Sequence, residues 1–255
     1  MAVGYLSEQN INIARGLIRG ASVVHKFGRN PNVGGAPETI WMYGGTYTYL
    51  TSASTVYVSG ADAEDSAAGT GARTVTVQGL DANYNEIEET LTVDGAVSTK
   101  SFLRVFRAFV ASAGSLQTNK DNVLVSTGAS GGGTVLADIG TVGLGTTFGL
   151  GQTQLALYTI PAGKTGYLCN WNLGIGAYND AATATLYTRE IGNGLIFRTR
   201  DIMDVPGGLH QRTYTVPFVL PEKTDIEIRA IATTGTTVSS AFDIILYDTP
   251  RTMQV

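Results

Sequence analysis

Ile160-Pro-Ala-Gly-Lys-Thr-Gly-Tyr-Leu-Cys-Asn-Trp-Asn-Leu-Gly-Ile175 is the stretch of sequence that decides the fold. From Tyr167 through Cys169, Trp171 and Leu173 to Ile175, every second residue is apolar, while the other face holds one Leu and otherwise Asn and Gly. A period of two is typical of a strand with one buried side. The stretch therefore predicts a strand whose buried face carries Cys169 and Trp171.

The tripeptide Gly163-Lys-Thr within this stretch also ends the nucleotide-binding P-loop. That motif requires another Gly five positions earlier, where this chain has Tyr158, and it must open a helix. A strand follows here instead. We therefore interpret the tripeptide as part of a turn, in which Pro161 fixes φ and Gly163 supplies a permissive backbone.

The composition favours a strand-rich protein. The 255 residues include 32 Gly, and only 15% of the residues are charged. No apolar run reaches the 18 residues of a membrane span, and the first residues lack the basic and apolar segments of a secretory signal, so we expect no membrane partner and a protein that is made and kept in the cytoplasm or assembled there into something larger. With Cys169 as the single cysteine, an intrachain disulfide is impossible.

Strand patterns begin near Glu38 and continue to the end of the chain. The clearest hairpin joins residues 74–78 to residues 86–94, where Ile87, Leu91 and Val93 share one face. The first body has about seven or eight short strands. After a Gly-rich stretch, seven more strands are predicted, at residues 154–160, 166–175, 184–190, 195–199, 212–220, 225–232 and 240–247. Their spacing is typical of a sandwich or barrel.

The predicted fold is all-β: two tandem antiparallel β-sandwich (jelly-roll-like) domains preceded by an extended N-terminal arm. The predicted ranges are 1–37 for the arm, 38–139 for the first sandwich, 140–151 for a Gly-rich linker and 152–250 for the second sandwich. In the second sandwich, three sets of residues are each predicted to share a face: Tyr214, Val216 and Phe218; Ile226 and Ile228; Phe242, Ile244 and Leu246.

Charge is distributed unevenly along the chain. Residues 1–37 hold four bases (Arg15, Arg19, Lys26 and Arg29) and one acid, whereas residues 38–139 hold eleven acids and five bases. We expect the four bases to make intersubunit contacts with the acidic body of a neighbouring copy; the alternative is that they are solvated surface charges. The net charge of −4 argues against a nucleic-acid partner.

Catalytic and metal-binding residue patterns are sparse. His25 and His210 have no second His or Cys at ligand spacing, and no nucleophile motif accompanies Cys169. The loop with Asp62, Glu64 and Asp65 lacks the order of an EF-hand, so a solvated loop is preferred to a Ca²⁺ site. Glu86 and Glu88 are the residues of an alternative hypothesis, a carbohydrate-active enzyme. We expect no enzyme, cofactor or metal.

Several segments carry a family resemblance. They are Ile13-Ala-Arg-Gly, Val23-Val-His-Lys-Phe-Gly-Arg-Asn-Pro, Pro37-Glu-Thr-Ile-Trp, Gly69-Thr-Gly-Ala-Arg-Thr-Val-Thr-Val-Gln-Gly-Leu-Asp-Ala-Asn-Tyr, Ile160-Pro-Ala-Gly-Lys-Thr and Phe218-Val-Leu-Pro-Glu-Lys-Thr-Asp-Ile-Glu-Ile-Arg. Over most of its length the chain resembles the structural proteins of tailed bacteriophages. That family includes capsid decoration proteins, head fibres and tail parts, and it supplies no catalytic residues to assign here.

The resemblance implies a virion protein, most simply a capsid cement or decoration protein that stabilises contacts between major capsid proteins. The partners would be the major capsid protein or other virion proteins, and the chain itself is expected to form a homotrimer. The alternative is a tail or head fibre component that acts as an adaptor or binds a host receptor or glycan. We expect that deleting residues 1–35 leaves both sandwiches folded but weakens binding to the particle.

Overall fold

A computed structural model describes residues 8–143, 147–176, 179–232 and 235–249. Within these ranges the protein consists of antiparallel sheets and has one short α-helix, α1 (Glu8–Ala14). The predicted all-β class is confirmed. None of the described helices is long and apolar enough to cross a membrane.

The strands fall into three groups along the chain. The first group is β1 (Ala21–Val33) and β2 (Glu38–Thr39). An inserted unit follows, with β3 (Tyr57–Gly60), β4 (Ala72–Leu80), β5 (Glu86–Thr92), β6 (Arg104–Ala113), β7 (Val123–Ser126), β8 (Val135–Ile139), β9 (Thr141–Gly143) and β10 (Thr147–Gly149). The last group is β11 (Leu157–Thr159), β12 (Lys164–Ile175), β13 (Ala181–Glu190), β14 (Phe197–Pro206), β15 (Gly208–Leu220), β16 (Thr224–Ala232) and β17 (Thr236–Asp248).

Strands from the first and last groups form a sandwich of two sheets. Sheet A has the order β1-β17-β12-β15, and sheet B has the order β11-β16-β13-β14, with β2 paired to β16. One apolar cluster fills the space between the sheets, with Trp171 and Phe242 from sheet A and Leu186 and Ile228 from sheet B. Each of the seven strands predicted after residue 152 corresponds to a strand of this group.

The inserted unit has two three-stranded sheets, β3-β7-β8 and β5-β4-β6, that share a second apolar cluster. The predicted hairpin is present as β4 and β5, in which Val75 lies opposite Leu91. Residues 46–50 form no strand. Their aromatic rings pack edge to face instead: Tyr47 lies 5.2 Å from Trp41 and 4.9 Å from Tyr49, ring centroid to centroid.

Much of the predicted N-terminal arm is a strand of the sandwich. β1 pairs with β17 from Ala21↔Tyr247 to Val33↔Thr236, so the inserted unit lies between β2 and β11 of the sandwich in sequence. The inward positions of β1 include Lys26, Gly28 and Asn30, which are not apolar, and this hid the period of two. Since deleting residues 1–35 would remove this edge strand, the structure argues against the expectation that both units would then stay folded.

Two further details differ from the sequence prediction. The predicted linker contains a hairpin, because β9 pairs with β10. In β12, Leu168 joins Trp171, Leu173 and Ile175 in the core, whereas Cys169 is only half-buried. The register shifts between Leu168 and Asn170, which marks a bulge at Cys169. One extra residue reverses the facing of the residues before it, so the predicted buried face is wrong at Tyr167 and Cys169.

Candidate functional site

The inserted unit meets the sandwich at a buried group of charged side chains, which we call the junction cluster: Arg104, Arg189, Asp225, Glu227 and Arg229. Arg104 comes from β6 of the inserted unit, and the other four come from β13 and β16 of sheet B. Asp225 and Glu227 alternate with Ile226 and Ile228, which face the sandwich core. Their carboxylates therefore point to the outer face of sheet B, where the inserted unit covers them.

Asp225 is the centre of the junction cluster. Nε of Arg104 donates to its Oδ1 at 2.8 Å and Nη2 to its Oδ2 at 3.1 Å, a bidentate pair between two almost fully buried side chains. Arg189 donates to Oδ2 at 2.6 and 3.0 Å, and Thr159 Oγ1 donates to Oδ1 at 2.6 Å. Nη1 of Arg104 also donates to the carbonyl of Leu50 at 2.9 Å. These bonds tie the two units to one carboxylate.

Glu227 forms the second half of the junction cluster. It accepts from Arg229 at 2.8 and 2.9 Å, from the hydroxyl of Tyr49 at 3.2 Å and from the hydroxyl of Thr39. Arg189 lies over the ring of Tyr49, 4.1 Å from its centroid. Burial, and next the charge of Glu227, hold the pKa of Tyr49 well above its ordinary value, so this hydroxyl stays a donor.

The surroundings keep Arg104 charged. Burial alone would lower its pKa, but the hydrogen bonds and charge of Asp225 raise it above its ordinary value. The cluster is thus a desolvated set of ion pairs whose role is to hold the inserted unit on sheet B. Sequence alternation predicts solvent exposure for Asp225 and Glu227 and so misses this cluster; the residual signal is the Asp225-x-Glu227-x-Arg229 pattern on one strand face.

A second junction lies beside β1, where the two units border a cleft of about 410 Å³. Its lining includes Lys26, Phe106 and Arg107, and Nζ of Lys26 donates to the carbonyl of Phe106. Burial, and next the charge of Arg107, lower the pKa of Lys26 to about 7. Lys26 was predicted to make intersubunit contacts, but its side chain is buried within its own chain. This burial argues against an intersubunit role for Lys26.

Lys26→Met should make the protein more stable at acidic pH. The pKa of Lys26 is lower in the folded than in the unfolded chain, so unfolding takes up a proton between about pH 7 and pH 10.5, and the stability of the native protein rises with pH across that window. At pH 6 we expect Lys26→Met to raise the free energy of unfolding by roughly 2 kcal/mol, since a desolvated charge is removed. Denaturant titrations at pH 6 and pH 9 measure the difference.

Lys120→Met, at an exposed lysine of the inserted unit, is the control and should change stability little at either pH. A Lys26→Met protein that is less stable than the native protein at pH 6 would contradict the argument from burial.

The other three predicted contact residues lie apart from Lys26. Arg15 and Arg19 are exposed in the turn that joins α1 to β1, and Arg29 is half-buried on β1. The structure does not bring them together as one site, and their intersubunit role stays a prediction.

The structure also shows the surroundings of the two histidines, the cysteine and the Gly-Lys-Thr tripeptide. His25 pairs with Asp243 on the outer face of sheet A, and Nε2 of His210 lies 3.2 Å from the carbonyl of Gly207. Gly163 has a φ of +72° in the turn before β12, which agrees with the turn interpretation. Burial raises the pKa of Cys169, which favours the thiol over the nucleophilic thiolate.

The structure also shows the surroundings of the carboxylates considered as calcium or catalytic groups. Asp65 is fully buried and accepts hydrogen bonds from the backbone N–H groups of Ala72, Lys120 and Asp121 at 2.7 to 3.0 Å, which fastens the loop it lies in. Glu86 and Glu88 are exposed on β5. Across the described ranges, no three His, Cys, Asp or Glu side chains form a group that could hold a metal ion.

No protein-family model and no curated protein matches the chain. Among solved structures, it is weakly similar to the Gx strain of infectious bursal disease virus, with 8% identity, 91% of this chain and 72% of that chain covered, and a TM-score of 0.23. For the Gt strain the identity is 11%, the match covers 89% of this chain and 72% of that chain, and the TM-score is 0.21. For the VP2 subviral particle of the same virus the identity is 8%, the match covers 89% of this chain and 76% of that chain, and the TM-score is 0.17. Similarity at this level carries no argument about function.

Proposed function

We propose that this chain is a non-catalytic structural protein of a virion, and within that class a capsid cement or decoration protein that joins neighbouring major capsid proteins. The observation that carries the proposal is the strand order of the sandwich. If its eight strands other than the two-residue β2 are numbered along the chain, sheet A has the order 1-8-3-6 and sheet B the order 2-7-4-5. That is the order of a double-sheet jelly roll, an architecture of viral capsid domains and of lectins.

A fold shared with lectins does not by itself decide the function. The resemblance of the sequence to tailed-bacteriophage structural proteins favours a role in the virion. The junction cluster favours a mechanically rigid structural protein, because it holds the inserted unit against the sandwich. A cement protein binds through many copies of a modest interface, so its effect on particle stability comes from multivalency.

The number of copies per particle tests this proposal. Quantitative mass spectrometry of purified virions should find roughly hundreds of copies of a cement protein, set by the symmetry of the capsid. A count of about a dozen would favour the alternative, a tail or head fibre component. Absence of the chain from purified particles would overturn both.

A further inference from the structure

The two outer faces of the sandwich differ. The outer face of sheet B is covered by the inserted unit through the junction cluster, whereas the outer face of sheet A carries α1 and meets the inserted unit at its β1 edge, where Val23 and His25 line the shared cleft. A sheet face that meets water normally carries polar side chains. The outer face of sheet A departs from this pattern.

An apolar row crosses all four strands of sheet A. Val23 lies opposite Ile245, Ile245 opposite Tyr167, and Tyr167 opposite Val219. The two ends of the row are exposed, with Val23 at 47% and Val219 at 59% of full accessibility. Leu209 is 75% exposed and lies on the same face. Its Cδ1 would be in van der Waals contact with a Cβ atom added at Gly174. We call this surface the A-face.

α1 shows that the A-face buries apolar groups. Ile13 of α1 packs beside Tyr167 and Ile245 and is 3% exposed. The helix covers only the centre of the row and leaves Val23, Val219 and Leu209 open. The charged residues of the face include Asp243, which is paired with His25, and Arg29 on β1, opposite Ser239. A surface with few charges and several exposed aliphatic residues has the composition of an interface core.

Charge indicates what covers the A-face. Arg15 and Arg19 are exposed beside it, in a segment with four bases and one acid. The inserted unit has the opposite charge, and Glu86 and Glu88 of its β5 line a groove together with Gln78, Ile87 and Phe106. A face with a basic rim and a groove that carries two carboxylates are complementary in charge.

We propose that the A-face, with Arg15 and Arg19, binds the Glu86 and Glu88 groove of a second copy of this chain. The two contacting surfaces are different, so the contact is heterologous and repeats head to tail until a ring closes, as a homotrimer would. This inference deepens the proposed function, since it names the surfaces of the expected oligomer. It is tested on the purified protein alone, so its outcome is separate from the copy count in virions.

The test is the oligomeric mass of the full chain, measured by light scattering and analytical ultracentrifugation. The wild-type protein should be an oligomer that dissociates as salt is raised. Leu209→Asp, the double change Arg15→Glu with Arg19→Glu, and the double change Glu86→Arg with Glu88→Arg should each weaken association at least about tenfold. Combining the two charge reversals in one chain should restore it.

Ile202→Asp is the matched control. Ile202 is exposed to a similar extent as Val23 but lies on β14 of sheet B, so this change should leave the mass unaltered. Circular dichroism confirms that each variant is folded. A monomeric wild-type protein would overturn the inference, as would a combined charge reversal that fails to restore association. A monomer whose Leu209→Asp variant is lost from virions would assign the A-face to the capsid protein instead.

Discussion

Arg104→Met is expected to lower the free energy of unfolding by roughly 3–5 kcal/mol. The substitution removes one partner of a buried ion pair and leaves Asp225 with Arg189 and Thr159 only. It also leaves the carbonyls of Leu50 and Leu103 without this donor. Because the lost bonds join the inserted unit to the sandwich, chemical denaturation should change from one transition towards two, one for each unit.

Arg107→Met is the matched control. Arg107 lies on the same strand, but its guanidinium is exposed and donates to Gln152 at 3.0 Å. Surface polar contacts of this kind contribute little, so we expect a loss below about 0.5 kcal/mol. Equal losses for Arg104→Met and Arg107→Met would mean that the junction cluster does not hold the units together.

The core of the sandwich could be predicted from the sequence because its signal is local. Phe242, Ile244 and Leu246 alternate with polar residues, and the structure buries all three. Ile226 and Ile228 behave in the same way. In each case the side of the strand that faces the core is set by residues two apart, and no distant segment has to be known.

The junction cluster could not be predicted, because it depends on a distant segment. Asp225 and Glu227 occupy the alternate positions of β16, which a one-sided strand would expose to water. They are buried because Arg104, 121 residues earlier in the chain, reaches Asp225. Alternation with a period of two shows which residues share a face of a strand. It does not show which distant segment covers the second face.

Bulges account for the errors of facing. Tyr214, Val216 and Phe218 were predicted to share a face, but Val216 is 80% exposed while the ring of Phe218 packs 4.5 Å from that of Tyr214. β15 pairs Phe218 with Leu168 and Thr213 with Asn170, so the residues between them are not in register. A bulge inserts one residue without changing the alternation of apolar and polar residues on either side of it, so the sequence pattern does not reveal where the bulge lies.

Trp171→Ala is expected to cost roughly 3–5 kcal/mol of stability, because it removes the largest of the fully buried side chains. The ring fills the space between the two sheets, and its Nε1 donates to Asp201 Oδ2 at 3.1 Å. Asp201 also accepts from the hydroxyl of Tyr214 at 2.6 Å and from Arg212 at 2.7 Å. The substitution therefore opens a cavity and removes one bond from the group that joins β12, β14 and β15. Urea titration measures the loss.

Two further variants separate the cavity from the hydrogen bond. Trp171→Phe keeps most of the apolar volume and removes only the donor to Asp201, so we expect a smaller loss, about 1–2 kcal/mol. Phe148→Ala removes an aromatic ring that is 59% exposed on β10 and should cost less than about 0.5 kcal/mol. If Trp171→Ala cost no more than Phe148→Ala, the ring could not lie between the sheets, and the facing of β12 after its bulge would be wrong.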